Sequence, residues 1–376
     1  MQFQSDFDRL MLVFVLWNVG LSISGNMVFP AFASMGFSIE QLLLMSTLCY
    51  SFPLFYLMFF RKYDSKITVP LGILSVAFGY FLLTTFGGLV GATAIYAFGG
   101  LCFFLFWVPF NSMWFGLRDK KNAGHSTLYN AIMMTTSLIM PVLSGYVAQF
   151  FGFGAVFAST IVVLIIAAVM AAKLVPQKKA EINFSKAIGH LSGFRSLVFL
   201  EGVHQVAPVF LVFIISLQYF PKPSDYGLFM SLATMLSIIS SFLLAKISDK
   251  SGQRREFILM FSVGLAISTF LAAAAGDVMW WFVAVSLINF FRVIFFPFPL
   301  ALLLDRKENI PELMYGREIF LNLGRSTGGI ISLILYILTG NLAIPLVITG
   351  LSMFAYAILF EFAKLKKIHA DDGLKT

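Results

Sequence analysis

Glu201, His204 and Gln205 stand inside an apolar run and, with Pro208, recur at spacings of three and four. On a helix that spacing puts an acid, an imidazole and an amide on one face. A carboxyl and an imidazole out of water are the side chains that take up and release protons near neutral pH. Glu201 and His204 are therefore candidates for proton coupling, with a hydrogen-bonded packing pair as the alternative. A second stripe, Ser286, Asn289 and Arg292, sets a guanidinium near the middle of another apolar run. Such a group binds a carboxylate or phosphate through two charge-assisted hydrogen bonds, so Arg292 and Asn289 are candidate substrate contacts. The competing reading makes Arg292 a permanent ion-pair partner of Glu201. Glu318, Asn322, Arg325 and Ser326 form a third, secondary polar cluster, which would tie its helix to a neighbour.

The elements that carry these residues must lie in a membrane. Of 376 residues 59% are hydrophobic, 12% are charged and 44 are Phe, more apolar surface than a water-soluble core can hide. Runs of about twenty apolar residues, each long enough to cross hydrocarbon as a helix, repeat along the chain. Breaks at charged, Gly or Pro positions predict about twelve spans: 9–35, 39–60, 67–86, 90–116, 125–150, 154–174, 196–220, 225–246, 256–275, 278–304, 314–338 and 342–363. The first reads as a retained span because it lacks a small-residue cleavage pattern. Cys49 and Cys102 both sit in apolar runs and read as packing residues, with no metal site or disulfide framework.

Charge sets the expected orientation. Arg61, Lys62, Lys66, Arg118, Lys120, Lys121, the 173–195 cluster, Lys246 to Arg255, Arg306, Lys307 and the C-terminal lysines all fall on one side, against Lys222 alone on the other. The positive-inside rule then places both termini in the cytoplasm, and the short loops suit a prokaryotic inner membrane. The net charge of +8 is thus a topological record, with no nucleic-acid partner implied. Trp280 and Trp281, beside Asp277, are expected in the outer aromatic belt.

The chain also repeats itself. "FFLFWVPFNSMWFGLRDKKN" from Phe103 aligns with "FFRVIFFPFPLALLLDRKEN" from Phe291 at an offset of about 188 residues, and "GHSTLYN" from Gly124 aligns with "GREIFLN" from Gly316. Two six-span halves, 1–174 and 196–376, are expected as parallel repeats about the membrane normal, joined by a cytoplasmic linker at 175–195.

The segment "AKISDKSGQRR", Ala245 to Arg255, resembles the G-x-x-x-D-R/K-x-G-R-R/K signature of the major facilitator superfamily. "FRKYDSK" around Asp64 is its degenerate repeat mate, and "PVLSGYVAQFFGFGAVF", Pro141 to Phe157, looks like the join of spans five and six in many members. The resemblance implies an all-α integral membrane fold of about twelve helices and a transporter rather than an enzyme, needing no cofactor. It implies a gating role for Asp249, Gly252, Arg254, Arg255 and Asp64. It further implies that spans one, four, seven and ten line a central cavity, which adds Asn18, Ser22, Asn26, Trp107 and Asn111 to the substrate candidates and leaves span eleven peripheral. Span four lacks the arginine, and Pro141 the flanking glycines, of proton-driven drug exporters. The expected function is secondary transport of a small organic anion or zwitterion by alternating access, with proton or other ion coupling as an option, in a monomer within the lipid bilayer. The alternatives are an exporter of amphipathic drugs or lipids and a transport-inactive receptor-like relative.

Overall fold

A computed structural model describes residues 6–116, 122–248, 254–304 and 309–372. The first half comprises α1 (Asp6–Gly25), α2 (Val28–Ser34), α3 (Ile39–Phe59), strand β1 (Lys62–Asp64), α4 (Ser65–Phe86), α5 (Gly88–Cys102), a π-helical turn at Phe103–Trp107, α6 (Val108–Trp114) and α7 (Asn122–Leu174). A linker follows with strand β2 (Lys179–Glu181) and α8 (Phe184–His190). The second half holds α9 (Arg195–Val206), a π-helical turn at Ala207–Leu211, α10 (Val212–Tyr219), α11 (Pro223–Ser248), α12 (Arg254–Ala273), α13 (Val278–Phe295), α14 (Pro297–Leu304), α15 (Ile310–Thr339) and α16 (Ala343–Asp372).

Ten segments among the described residues are long and apolar enough to cross a membrane. One of them, Ala131–Leu174, is broken at Gly152, whose φ of 81° and ψ of 165° end one helical arm and begin another. Only glycine adopts that conformation without strain. Counting the two arms separately gives eleven such segments among the described residues, against about twelve expected, and α11 is a further long helix outside that set.

The halves meet through backbone contact. At the crossing of α7 and α11, a Cβ on Gly227 would lie 2.1 Å from the Pro141 carbonyl oxygen, and one on Gly145 would lie 2.6 Å from that of Pro223. At the crossing of α3 and α15, a Cβ on Gly329 would meet Thr47 Oγ1 at 2.7 Å. Without a hydrophobic drive between helices in lipid, this close approach is what van der Waals attraction requires. Phe29 on α2 packs its ring 5.8 Å from Phe210 and 6.1 Å from Phe213, closing the end of the bundle opposite the linker.

The linker, expected as a polar loop, is folded and docked. β2 pairs antiparallel with β1, Lys62 opposite Glu181 and Asp64 opposite Lys179. Lys66 Nζ donates to the carbonyls of Lys173 and Val175, groups left open where α7 ends. On the other side Glu312 accepts from the Asn183 amide at 3.3 Å and pairs with His190 at 2.9 Å. The linker thereby grips both halves.

Asp64 is the acid at that grip. It caps α4 by accepting from the Lys66 amide, accepts from Gln177 Nε2 at 2.9 Å, and lies 3.5 Å from Lys179 Nζ. The Gln177 hydrogen bond, then the Lys66 amide and the Lys179 charge, hold its carboxyl below the ordinary value. A depressed folded pKa means that its contribution is present above the unfolded carboxyl pKa of about 3.9 and is lost as pH falls through the folded value. Wild type should therefore melt above Asp64→Asn at pH 6 and converge with it as pH falls through the depressed folded value, a difference read from paired thermal melts across pH.

Candidate functional site: a central cavity with five charges

Between the halves lies a cavity of about 450 Å³. The π-helical turn at Phe103–Trp107 helps shape its walls, and the second such turn, Ala207–Leu211, follows directly on the helix that carries Glu201 and Gln205. Val108 N–H bonds to the Phe103 carbonyl and Val212 N–H to that of Ala207, each five residues back. Pro109 and Pro208 have no N–H to continue the ordinary ladder, so the extra residue is accommodated beside them. The first turn presents Phe103 and Trp107 to the cavity, and α6 adds Asn111. Asn111 Oδ1 accepts from the Tyr129 hydroxyl of α7 at 3.2 Å. Across the space, Pro297 interrupts α13 just beyond Arg292, and Phe296, Pro297 and Leu300 line the wall. The lining runs on to Phe115, Leu304 and Met314 at the linker end.

Charge enters from α9, α13 and α15. Glu201, 1% exposed, accepts from Arg317 Nη2 at 2.8 Å and from Gln205 Nε2 at 3.2 Å. Gln205 Oε1 accepts in turn from Arg325, whose Nε lies 2.7 Å away. Glu318 stands 3.8 Å from Arg317 Nη1, 3.8 Å from Arg325 Nη1, and accepts from Asn322 Nδ2 at 3.3 Å. The Arg325 guanidinium also sits 4.7 Å from the centroid of the Tyr50 ring, a cation–π contact. Arg292, on the facing wall, makes no ion pair and no side-chain hydrogen bond among the described residues.

Several expectations need correction. Glu201 pairs with Arg317, not Arg292, because α15 lies against α9: a Cβ on Gly324 would fall 2.1 Å from the Phe199 carbonyl oxygen. The same closeness makes span eleven a cavity wall rather than a peripheral helix, and its Glu318 and Arg325 face Glu201 and Gln205. Arg317 escaped notice because it adjoins the basic loop and reads as a topological charge.

His204 leaves the cavity. Residues three and four beyond Glu201 diverge by about 100° around a helix. Gln205 therefore turns to the cavity while His204, fully buried, sets Nδ1 3.2 Å from the Thr349 carbonyl of α16.

Asn18, Ser22 and Asn26 do not line the cavity either. Asn18 Nδ2 donates to Phe14 O at 2.8 Å within α1, where Phe14 stacks 5.2 Å from Phe110 and Trp17 stacks 4.3 Å from Phe106. Asn289 donates to Ala233 O at 3.2 Å, binding α13 to α11. Trp107 and Asn111 do line the cavity. Trp281 is not in an exposed belt: it is 1% exposed, donates Nε1 to Ser216 Oγ at 3.0 Å and stacks on Tyr219, whereas its neighbour Trp280 is 63% exposed.

Of the signature residues, Asp249 and Gly252 lie outside the described residues, as does the side chain of Arg254. Arg255 forms an ion pair with Glu361 of α16.

The fold has known counterparts. Residues 197–340 match the MFS_1 like family. A POT family transporter in complex with a thioalcohol-conjugated peptide superposes with a TM-score of 0.73 at 12% identity, covering 96% of each chain. The chain shares the fold of that transporter. Its fold is equally that of the human organic anion transporter MFSD10 (TETRAN), with a TM-score of 0.70 at 12% identity over 94% of this chain and 98% of that one. The E. coli fucose:proton symporter FucP gives 0.65 at 14% over 95% and 98%. No curated protein sequence matches this chain.

Proposed function

We propose that the protein is a secondary transporter that moves a small organic anion or zwitterion by alternating access around the central cavity. The observation that carries the reading is the free charge of Arg292. Three guanidinium groups and two carboxylates line one cavity, and only Arg292 lacks a counter-ion among the described residues. A charge held at membrane depth marks a functional site, and an anionic ligand supplies its partner. Among the superposable transporters, one is named for organic anions and another was captured with a peptide conjugate, which supports a small-molecule cargo. Closed contacts at one end and a lining that reaches the linker end are the arrangement of one state in a rocking cycle.

Proton coupling is assigned to Glu201, which would be protonated when Arg317 withdraws. Proton-independent flux in wild type that survives Glu201→Gln removes that assignment. The basic asymmetry of the loops favours cytoplasmic termini, and the short loops favour a prokaryotic inner membrane. The aromatic lining favours a second reading, export of amphipathic compounds.

A thermal-shift screen of purified wild type against anionic, zwitterionic, neutral and cationic compounds decides between them. Stabilisation by a carboxylate or phosphate that disappears in Arg292→Ala is expected, since a ligand at about a hundredfold its Kd adds about 2.7 kcal/mol to the folded state. Equal stabilisation of both proteins by neutral or cationic amphipaths instead makes Arg292 structural and favours the amphipath reading.

A further inference from the structure

We propose that the cargo is a monoanion with an apolar, aromatic-sized body, and that the cavity discriminates against zwitterions and dianions. This rests on the reading of the cavity as an anion site and narrows it.

The first ground is how the five charges are already engaged. An entering ammonium needs a carboxylate, and neither is free: Glu201 holds Arg317 at 2.8 Å and Gln205 at 3.2 Å, and Glu318 lies between Arg317 and Arg325 with Asn322 donating at 3.3 Å. To seat an ammonium, one of these pairs must open, and the released guanidinium then stands beside the new cation. Like charges at such distances disfavour binding strongly where water is excluded. A dianion meets the converse problem. Its first carboxylate takes Arg292, but the second finds Arg325 held by Gln205 and stacked on Tyr50, and Arg317 held by Glu201. One unmatched positive charge calls for one negative charge.

The second ground is the surface around that charge. Phe103, Trp107, Tyr129, Met133, Phe296 and Leu300 line the cavity with Arg292. A volume of about 450 Å³ falls within the range of small-molecule sites, and such walls recover free energy by burying an apolar body rather than by hydrogen bonding. Ring faces suit an aromatic ring in offset or edge-on contact.

The test uses four probes with a common body on the purified full-length protein: 3-phenylpropionate, its amide, phenylalanine and phenylsuccinate, each titrated by thermal shift. Phenylpropionate is expected to bind at least roughly tenfold more tightly than the other three, a difference of about 1.4 kcal/mol. Arg292→Gln should abolish that preference, while Arg292→Lys, which keeps the charge without the planar fork, should retain it at reduced affinity. Trp107→Ala should weaken phenylpropionate more than propionate.

Phenylalanine or phenylsuccinate binding as tightly as phenylpropionate, with the same dependence on Arg292, overturns the inference and leaves the anion site standing. Absence of stabilisation by phenylpropionate while another carboxylate stabilises also overturns it. Failure of every anion, with stabilisation by the amide alone, overturns the anion-transport reading itself.

Discussion

Gly324→Val should yield little or no monodisperse protein, and any that is recovered should melt far below wild type. A Cβ at this position would stand 2.1 Å from the Phe199 carbonyl oxygen and 3.0 Å from the Gly202 Cα, so the obstacle is backbone that no rotamer change removes. Gly328 continues the contact one turn on, with a Cβ meeting Val206 and the Val203 carbonyl at 2.9 and 3.0 Å. Gly324 and Gly328 thus form a small-x-x-x-small face that lets α15 lie against α9. Overpacking an ordinary core costs about 1–3 kcal/mol; here two helices must separate, and the separation pulls Arg317 from Glu201 as well. Fluorescence-detected size exclusion and thermal melting give the readout. Gly340→Ala sits at the end of α15 with open space around its Cβ and a φ of 64°, and provides a milder control whose cost is conformational alone. Normal yield and melting of Gly324→Val would show that α9 and α15 are not in contact as described.

Arg317→Ala is expected to be the most costly single change in the cavity, and costlier than Glu201→Gln. Removing the guanidinium leaves the Glu201 carboxylate, 1% exposed, with only the Gln205 amide as partner. Breaking one side of a buried pair typically costs about 3–5 kcal/mol, because the remaining ion has lost its compensation. The reverse change is better tolerated: in Glu201→Gln, Arg317 still has Glu318, whose oxygen already lies 3.8 Å from Nη1. The double variant Glu201→Gln, Arg317→Ala should therefore melt above Arg317→Ala alone. A double-mutant cycle in which the two losses simply add would mean that the pair is not coupled.

Much of the architecture follows from the order of residues alone. Hydrophobic runs separated by charged breaks locate the spans, because an unpaired backbone amide in hydrocarbon forces a helix and a charge there forces an exit. Helix α1 begins at Asp6 rather than at residue 9, a difference of local detail, and the break expected between residues 150 and 154 falls at the non-helical Gly152. The repeat around Pro109 and Pro297 is legible for the same reason: proline interrupts the ladder wherever it occurs, with Pro297 lining the cavity and Pro109 buried between the lining residues Trp107 and Asn111.

The site was legible only in its ingredients. Glu201, Arg292, Glu318, Arg325, Trp107 and Asn111 stand out in the sequence and all reach the cavity. Their pairing does not, because it depends on which helices touch. That is decided by glycines on α9 and α15, whose meaning appears only when the two faces meet, and by the 100° that separates His204 from Gln205 once α16 takes one flank and α15 the other. The docked linker was hidden too: its short strand depends on hydrogen bonds to a segment more than a hundred residues away, which local composition does not encode. The sequence by itself determined a membrane-embedded helical protein with two related halves and a small set of intramembrane charges, since burial of polar groups in lipid is costly at every position regardless of neighbours. Tertiary structure alone decided which of those charges cancel and that Arg292 is left over among the described residues, because ion pairing depends on distances of a few ångströms between helices far apart in the chain.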